Sequence, residues 1–158
     1  LEYSTIGKAE KVLYEIDLNN LIEDLLLGFD NPNEVKISIP YKLPSIKGDQ
    51  HRLELLFHHL IYNAIKFNDK EKKGFVEIKF SEEDKYWQFS IKDNGKGIEK
   101  QYFEKIFIAF QKLENDYKST GIGLSIVKKI IETYDGVIWL ESIPKVETTF
   151  YFKIKKNS

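Results

Sequence analysis

A chain of 158 residues, 42% hydrophobic and 14% aromatic, is enough for one well-filled core, and a single domain is the default expectation. Its formal net charge of −1, from 24 Lys and Arg against 25 Asp and Glu, gives no global pull toward nucleic acid or an anionic membrane. With no cysteine there is no disulfide framework, thiolate metal site or thiol nucleophile, which fits a reducing compartment. Apolar runs fall short of a membrane span and no signal peptide is visible; the missing initiator Met is expected of a piece of a longer protein.

Residues 1–10 have only a weak helical pattern around Gly7 and are expected to be the end of something longer. Residues 11–16 alternate Val12, Tyr14 and Ile16 as a short strand; Asp17 then caps a helix that carries Leu18, Leu21, Ile22 and Leu25 on one face and stops near Gly28. Val35 to Ile39 is a second strand, ended by Pro40 and Pro44, and Gly48-Asp49 opens a helix over about residues 50–67. Its apolar stripe is Leu53, Leu56, Phe57, Leu60, Ala64 and Phe67. Phe75 to Phe80 turns through residues 81–85 into a strand over residues 86–92, and a short helix is expected over residues 99–106. A polar segment without periodicity, residues 111–120, leads to a last helix opened by Gly121-Ile122-Gly123, with Ile126, Val127, Ile130, Ile131 and Tyr134 inward. Strands over residues 137–142 and 148–154 close the chain.

The chemistry gathers around Asp93-Asn94-Gly95-Lys96-Gly97-Ile98. Trp87, Phe89 and Ile91 alternate with polar residues, so period two aims Asp93 into the same buried face. A buried carboxylate needs donors, and the two glycines remove side chains where a flat ligand approaches the backbone; adenine is the ligand this suggests. The plain alternative is a tight turn whose Asp caps a helix at Gly97-Ile98. His59, Asn63 and Lys66 lie at i, i+4 and i+7 on one flank of their helix, as a ligand-facing row or as a solvated shoulder. Asn63 offers a neutral oxygen suited to Mg2+, Lys66 and Lys112 can offset phosphate charge, and the helix start at Gly121–Gly123 presents free N–H groups to phosphate. Thr148 can place a hydroxyl or a water beside the base.

Taken in order, these segments resemble the catalytic, ATP-binding domain of bacterial two-component sensor histidine kinases. That domain belongs to a wider superfamily with DNA gyrase, the heat-shock chaperone ATPases and the mismatch-repair ATPases. Asn63-Ala64-Ile65-Lys66-Phe67 is similar to the N box, Asp93-x-Gly95-x-Gly97-Ile98 to the first glycine box, and Phe103-x-x-Ile106-Phe107-x-x-Phe110 to the F box. Gly121-Ile122-Gly123-Leu124-Ser125-Ile126-Val127 is similar to the second glycine box, and Ile138-Trp139-Leu140-Glu141-Ser142 also fits. The resemblance runs from about Lys11 to the end. It implies an α+β fold of Bergerat type, a two-layer α/β sandwich whose mixed, mostly antiparallel sheet packs against three helices, with a mobile ATP lid over about residues 108–120. It implies a domain over residues 11–158, with residues 1–10 as the tail of the dimerisation helices that carry the phosphate-accepting histidine. It further implies ATP and Mg2+ as cofactors, a catalytic set of Asn63, Lys66 and His59 with Asn63 on the metal, and nucleotide contacts from Asp93, Gly95, Gly97, Ile98, Phe67, Lys112, Thr120, Gly121, Ile122, Gly123, Leu124 and Thr148. The partners it implies are the protein's own dimerisation helices and a response regulator, in the cytoplasm, with no nucleic acid and no direct membrane contact.

The chain departs from that pattern at His59, where an Asn or an acid is usual, at Ser119 for the first glycine of the second glycine box, and at Ala109 for the F-box Pro. Lys145 and Glu147 replace the glycines before the last strand. A neutral imidazole is a poor Mg2+ ligand, so His59 is expected to weaken Mg-ATP binding without abolishing it. Two competing readings follow: a degenerate signalling module acting through partner contacts, and a stand-alone ATPase with His59 as base. His51, His58 and His59 all lie in or beside the N-box helix, so none is expected to be the phosphoacceptor. Phe107, Ile108 and Phe110 are divided evenly between core and a docking surface for the dimerisation helices.

Overall fold

The structure, a computed structural model, describes residues 13–68, 73–108 and 121–156. The first described strand, β1 (Tyr14–Asp17), runs directly into α1 (Leu18–Leu27), whose N-cap Asp17 accepts a hydrogen bond from Asn19 N–H at 2.9 Å. Asn19 in turn exchanges side-chain hydrogen bonds with the backbone of Leu43, at 2.8 and 2.7 Å. Then come β2 (Lys36–Ser38) and β3 (Ser45–Gly48), and β3 pairs antiparallel with β1 as a two-stranded ribbon. Strand β3 is an addition to the expected elements, because Pro40 and Pro44 read as loop and hide a strand just four residues long.

The second helix, α2 (Gln50–Lys66), begins at the expected cap: Asp49 Oδ1 accepts from Arg52 N–H at 3.0 Å. Strands β4 (Phe75–Glu82) and β5 (Tyr86–Asp93), helix α3 (Gly121–Thr133), and strands β6 (Val137–Ile143) and β7 (Glu147–Lys155) complete the chain. The main sheet has the order β2-β4-β5-β7-β6, with β2 and β4 parallel and every other pair antiparallel. A parallel pair needs a long crossover, and α2 lies in the segment that supplies it. The expected mixed, mostly antiparallel sheet packed against three helices is therefore present.

Alternation sets the faces. Val76, Ile78, Phe89, Ile91, Phe150, Phe152 and Ile154 are buried toward the helices, while Gln88, Ser90, Tyr151 and Lys153 lie half-buried on the other side. Phe57 of α2 is the wedge between the layers, meeting Phe89 and Phe152 edge-on with ring centroids 5.7 Å from each. Burying such a ring contributes roughly 1.5–3 kcal/mol. Helix α3 adds Val127, Ile130 and Ile131 to the same core, and the Tyr134 hydroxyl beyond it accepts from Asp49 N–H at 2.9 Å, which ties the end of α3 to the start of α2.

One element is corrected. The short helix expected over residues 99–106 is two 3-10 turns, Lys100–Tyr102 and Lys105–Phe107. Glu99 and Glu104 precede them without a side-chain capping bond, so neither turn is propped into a longer helix. The apolar spacing served packing instead: Ile106 is buried, and the ring of Phe107 meets Phe150 edge-on at 6.2 Å.

Candidate functional site: a cleft floored by a buried aspartate

Strand β5 delivers Asp93 to the helix-facing side because it shares the parity of Phe89 and Ile91, and only 5% of it remains exposed. Asp93 Oδ1 accepts from Gly95 N–H at 2.9 Å within a turn, and no helix begins at residues 97–98, so the capping alternative does not hold. Burial is the main force that pushes the Asp93 carboxyl up to about 7; the Gly95 bond works against it and the charge of Glu147 adds to it.

Around this carboxyl lies a narrow cleft, open to solvent, lined by Asn63, Phe67, Asp93, Gly97, Ile98, Leu124, Thr148 and Phe150. Its lining suits a small flat ligand: apolar walls with a few polar groups, Asn63, Asp93 and Thr148. Asn63 is buried on α2, Leu124 comes from the first turn of α3, and Thr148 is the ladder partner of Asp93 across β5 and β7. Residues far apart in sequence, Asn63, Phe67, Asp93, Gly97, Ile98, Leu124 and Thr148, thus line one cleft.

The two glycines have a different first duty from the one expected. A Cβ at Gly95 would overlap the carbonyl oxygen of Phe67, to which Lys96 N–H also donates at 3.1 Å. Gly97 has φ +73° and its missing Cβ leaves room for the backbone of Ile143 and Pro144. Both are required by backbone packed on backbone, and Gly97 of the two also borders the cleft.

Other expected site residues lie outside this lining. Lys66 is exposed, its Nζ 5.6 Å from the centre of the Tyr62 ring. His59 faces a neighbouring cleft with Leu25, His51, Glu54, Leu55 and His58, and its Nδ1 would be 3.0 Å from a Cβ at Gly123. The imidazole therefore packs against the start of α3, and Gly123 gives it room. Gly121 opens α3. Lys112, Thr120 and all of the lid expected over about residues 108–120 except Ile108 lie outside the described residues.

Sequence reasoning passed over Asn68, Asn94 and Ser142. Asn94 Oδ1 accepts from Phe75 N–H at 2.8 Å and from Asn68 Nδ2 at 3.1 Å, while its own Nδ2 donates to Lys73 O at 2.8 Å. These bonds tie the end of α2, the start of β4 and the Asp93 turn into one junction. The visible signal was Asn94's place inside the glycine motif, on the parity opposite Asp93.

A model of the family described as histidine kinase-, DNA gyrase B- and HSP90-like ATPases matches residues 48–158, more than half of the chain. The chain belongs to that family. This ATPase domain is 47% identical to the phytochrome-like protein Cph1 of Synechocystis sp. over 98% of its own length, and spans 21% of that relative. It superposes on the catalytic domain of histidine kinase ThkA with a TM-score of 0.77 and 25% identity, covering 93% of this chain and 99% of that one. Against full-length ShkA, solved in complex with AMPPNP, the TM-score is 0.80 at 25% identity over 99% of this chain and 34% of that one. It is a histidine-kinase ATPase catalytic domain.

Proposed function

We propose that this domain binds Mg-ATP in the Asp93 cleft and presents the γ-phosphoryl group to a histidine on a dimerisation domain outside this chain, for relay to a response-regulator aspartate. The observation that carries the reading is Asp93 itself: a buried carboxylate beside Thr148, at the end of an apolar slot formed by Ile98, Leu124, Phe67 and Phe150. The carboxylate accepts from the exocyclic amine of adenine, and the slot covers the faces of the base. The phosphates leave toward the start of α3, where N–H groups of Gly121 to Gly123 and the side chains of Lys112 and Thr120 receive them.

Among the described residues no group of three or more His, Cys, Asp and Glu stands ready to hold a metal. Asn63 gives one buried amide oxygen, a donor set that fits Mg2+, a cation that keeps waters and takes its other ligands from phosphates. When bound, it supplies charge neutralisation on the transferring phosphoryl group. The chain's part is positioning: Asp93 and Thr148 set the base, Asn63 sets the metal side, and Lys66 and Lys112 offset phosphate charge as the chain folds over the nucleotide. His59 acts on this arrangement through Gly123 and weakens metal handling; a His59→Asn variant is expected to bind Mg-ATP more tightly. Residues 1–10 belong to the tail of the dimerisation helices, and the intact protein works in the cytoplasm. No helix among the described residues is long and apolar enough to cross a membrane.

The test is calorimetric titration of ATP into this chain, with Mg2+ and then with chelator. Saturable binding that strengthens with Mg2+ and drops by at least about 100-fold, roughly 2.7 kcal/mol, in Asp93→Asn is expected. Absence of binding under either condition overturns the reading.

A further inference from the structure

Beside the Asp93 carboxyl runs a chain of hydroxyls that phosphoryl transfer does not use. Ser142 Oγ on β6 accepts from Ile98 N–H at 2.7 Å, reaches the Glu147 carbonyl oxygen at 2.8 Å, and meets Thr148 Oγ1 at 2.8 Å. A serine hydroxyl has one proton and two acceptor sites. The Glu147 carbonyl can only accept, so the Ser142 proton goes there, and Ile98 N–H occupies one lone pair. Thr148 must then donate the proton between the two hydroxyls. Its own oxygen is left with lone pairs alone, 3% exposed, in the lining of the cleft and paired across the sheet with Asp93.

We infer that Ser142 is a positioning residue for base specificity: by holding the hydroxyl proton of Thr148, it makes the polar end of the cleft an acceptor-only surface formed by Thr148 and Asp93. Such a surface pairs with an amine on the purine edge and disfavours a carbonyl at the same position, because acceptor facing acceptor in a buried site leaves both unpaired and repelling; the ring N–H that accompanies the carbonyl offsets only part of this. Asp93 alone does not set this choice. A threonine free to rotate would turn its proton toward a carbonyl and rescue it; Ser142 removes that freedom without touching the ligand. The inference rests on the reading of the cleft as an ATP site.

The experiment compares ATP with inosine triphosphate, which has a carbonyl in place of the amine, by calorimetry on this chain at pH 8.5, well above the value of about 7 to which burial pushes Asp93. The original chain is expected to prefer ATP by about tenfold or more. Ser142→Ala is expected to cut that ratio by about fivefold or more, through relatively tighter binding of the inosine nucleotide, and Ser142→Thr to restore it. Thr148→Val, which removes the oxygen lone pairs while sparing the bonds of Ser142 to Ile98 and Glu147, is expected to lower the ratio as well. Equal loss of both affinities in Ser142→Ala, with the ratio unchanged, is what a merely structural serine gives and overturns the inference. Should Ser142→Ala not fold, an unchanged ratio in Thr148→Val overturns it alone. If the original chain binds ATP yet shows no preference, the inference fails and the ATP site stands; if it binds neither nucleotide, both fail.

Discussion

Asp93 is held in two opposed conditions, buried enough to resist ionisation and placed where only the ionised form serves as a full acceptor. Its folded-state value of about 7 stands above the ordinary 3.8, so the folded domain holds a proton that the unfolded chain has released. Stability from this group is therefore fully present below about pH 3.8 and is lost as pH rises through about 7. Asp93→Asn keeps an oxygen for Gly95 N–H and removes the charge. In thermal melts without nucleotide it is expected to match the original chain near pH 4 and to exceed it at pH 8 by on the order of 2 kcal/mol, several degrees. A variant less stable at both pH values would show that the carboxylate is held by more than the Gly95 bond. ATP affinity of the original chain is expected to run the other way, falling as pH drops through about 7; a flat profile between pH 6 and 8 would count against Asp93 as the acceptor. Alternation along β5 made the inward aim of Asp93 legible. The packing against Phe67 and Ile143 that makes Gly95 and Gly97 necessary was not, because those backbones come from elsewhere in the chain.

At the level of elements, the sequence marks ends better than junctions. Asp17 and Asp49 were readable as caps since a cap is a local bond within three residues; Asp49→Ala is expected to cost about 1 kcal/mol, read as a lowered melting temperature with ATP affinity unchanged. Asn94 is the contrasting case, a side chain whose partners lie on β4, in the loop before it and at the end of α2. Its replacement by Ala strands a backbone N–H, a carbonyl and an amide at once. The expected result is a loss of about 2–3 kcal/mol together with weaker ATP binding, since the Asp93 turn loses its anchor to the helix that bears Asn63. Unchanged nucleotide affinity in a destabilised variant would separate the junction from the site. The mistaken helix over residues 99–106 belongs here too. Phe103, Ile106 and Phe107 have helical spacing, and nothing local caps the segment, so contact with Phe150 shaped it.

For the whole molecule, the two residues before Ala109 divide cleanly. Phe107 packs edge-on against Phe150, which lines the cleft, whereas Ile108 is 53% exposed; Phe110 lies outside the described residues. Phe107 is thus half-buried against the core, and Phe107→Ala is expected to destabilise the domain by about 2 kcal/mol and to weaken ATP binding through Phe150. Ile108→Ser is expected to leave stability within about 0.5 kcal/mol and ATP affinity unchanged, while lowering phosphotransfer in the intact protein. If Ile108→Ser leaves phosphotransfer intact, this apolar side chain is not part of the contact with the dimerisation helices.

Elements whose signal is local were legible before folding: the period-two strands, the amphipathic α2 and α3, the two aspartate caps, and the inward aim of Asp93. The order of the sequence motifs also pointed to residues that line one cleft, Asn63, Asp93, Leu124 and Thr148 among them. Three features waited for the folded chain: β2 joins the sheet in parallel, His59 packs on Gly123 outside the Asp93 cleft, and the Ser142 hydroxyl meets that of Thr148. Each of these depends on contacts between segments distant along the chain, and neither a residue's propensity nor its periodicity carries the position of a partner that arrives only when the chain folds.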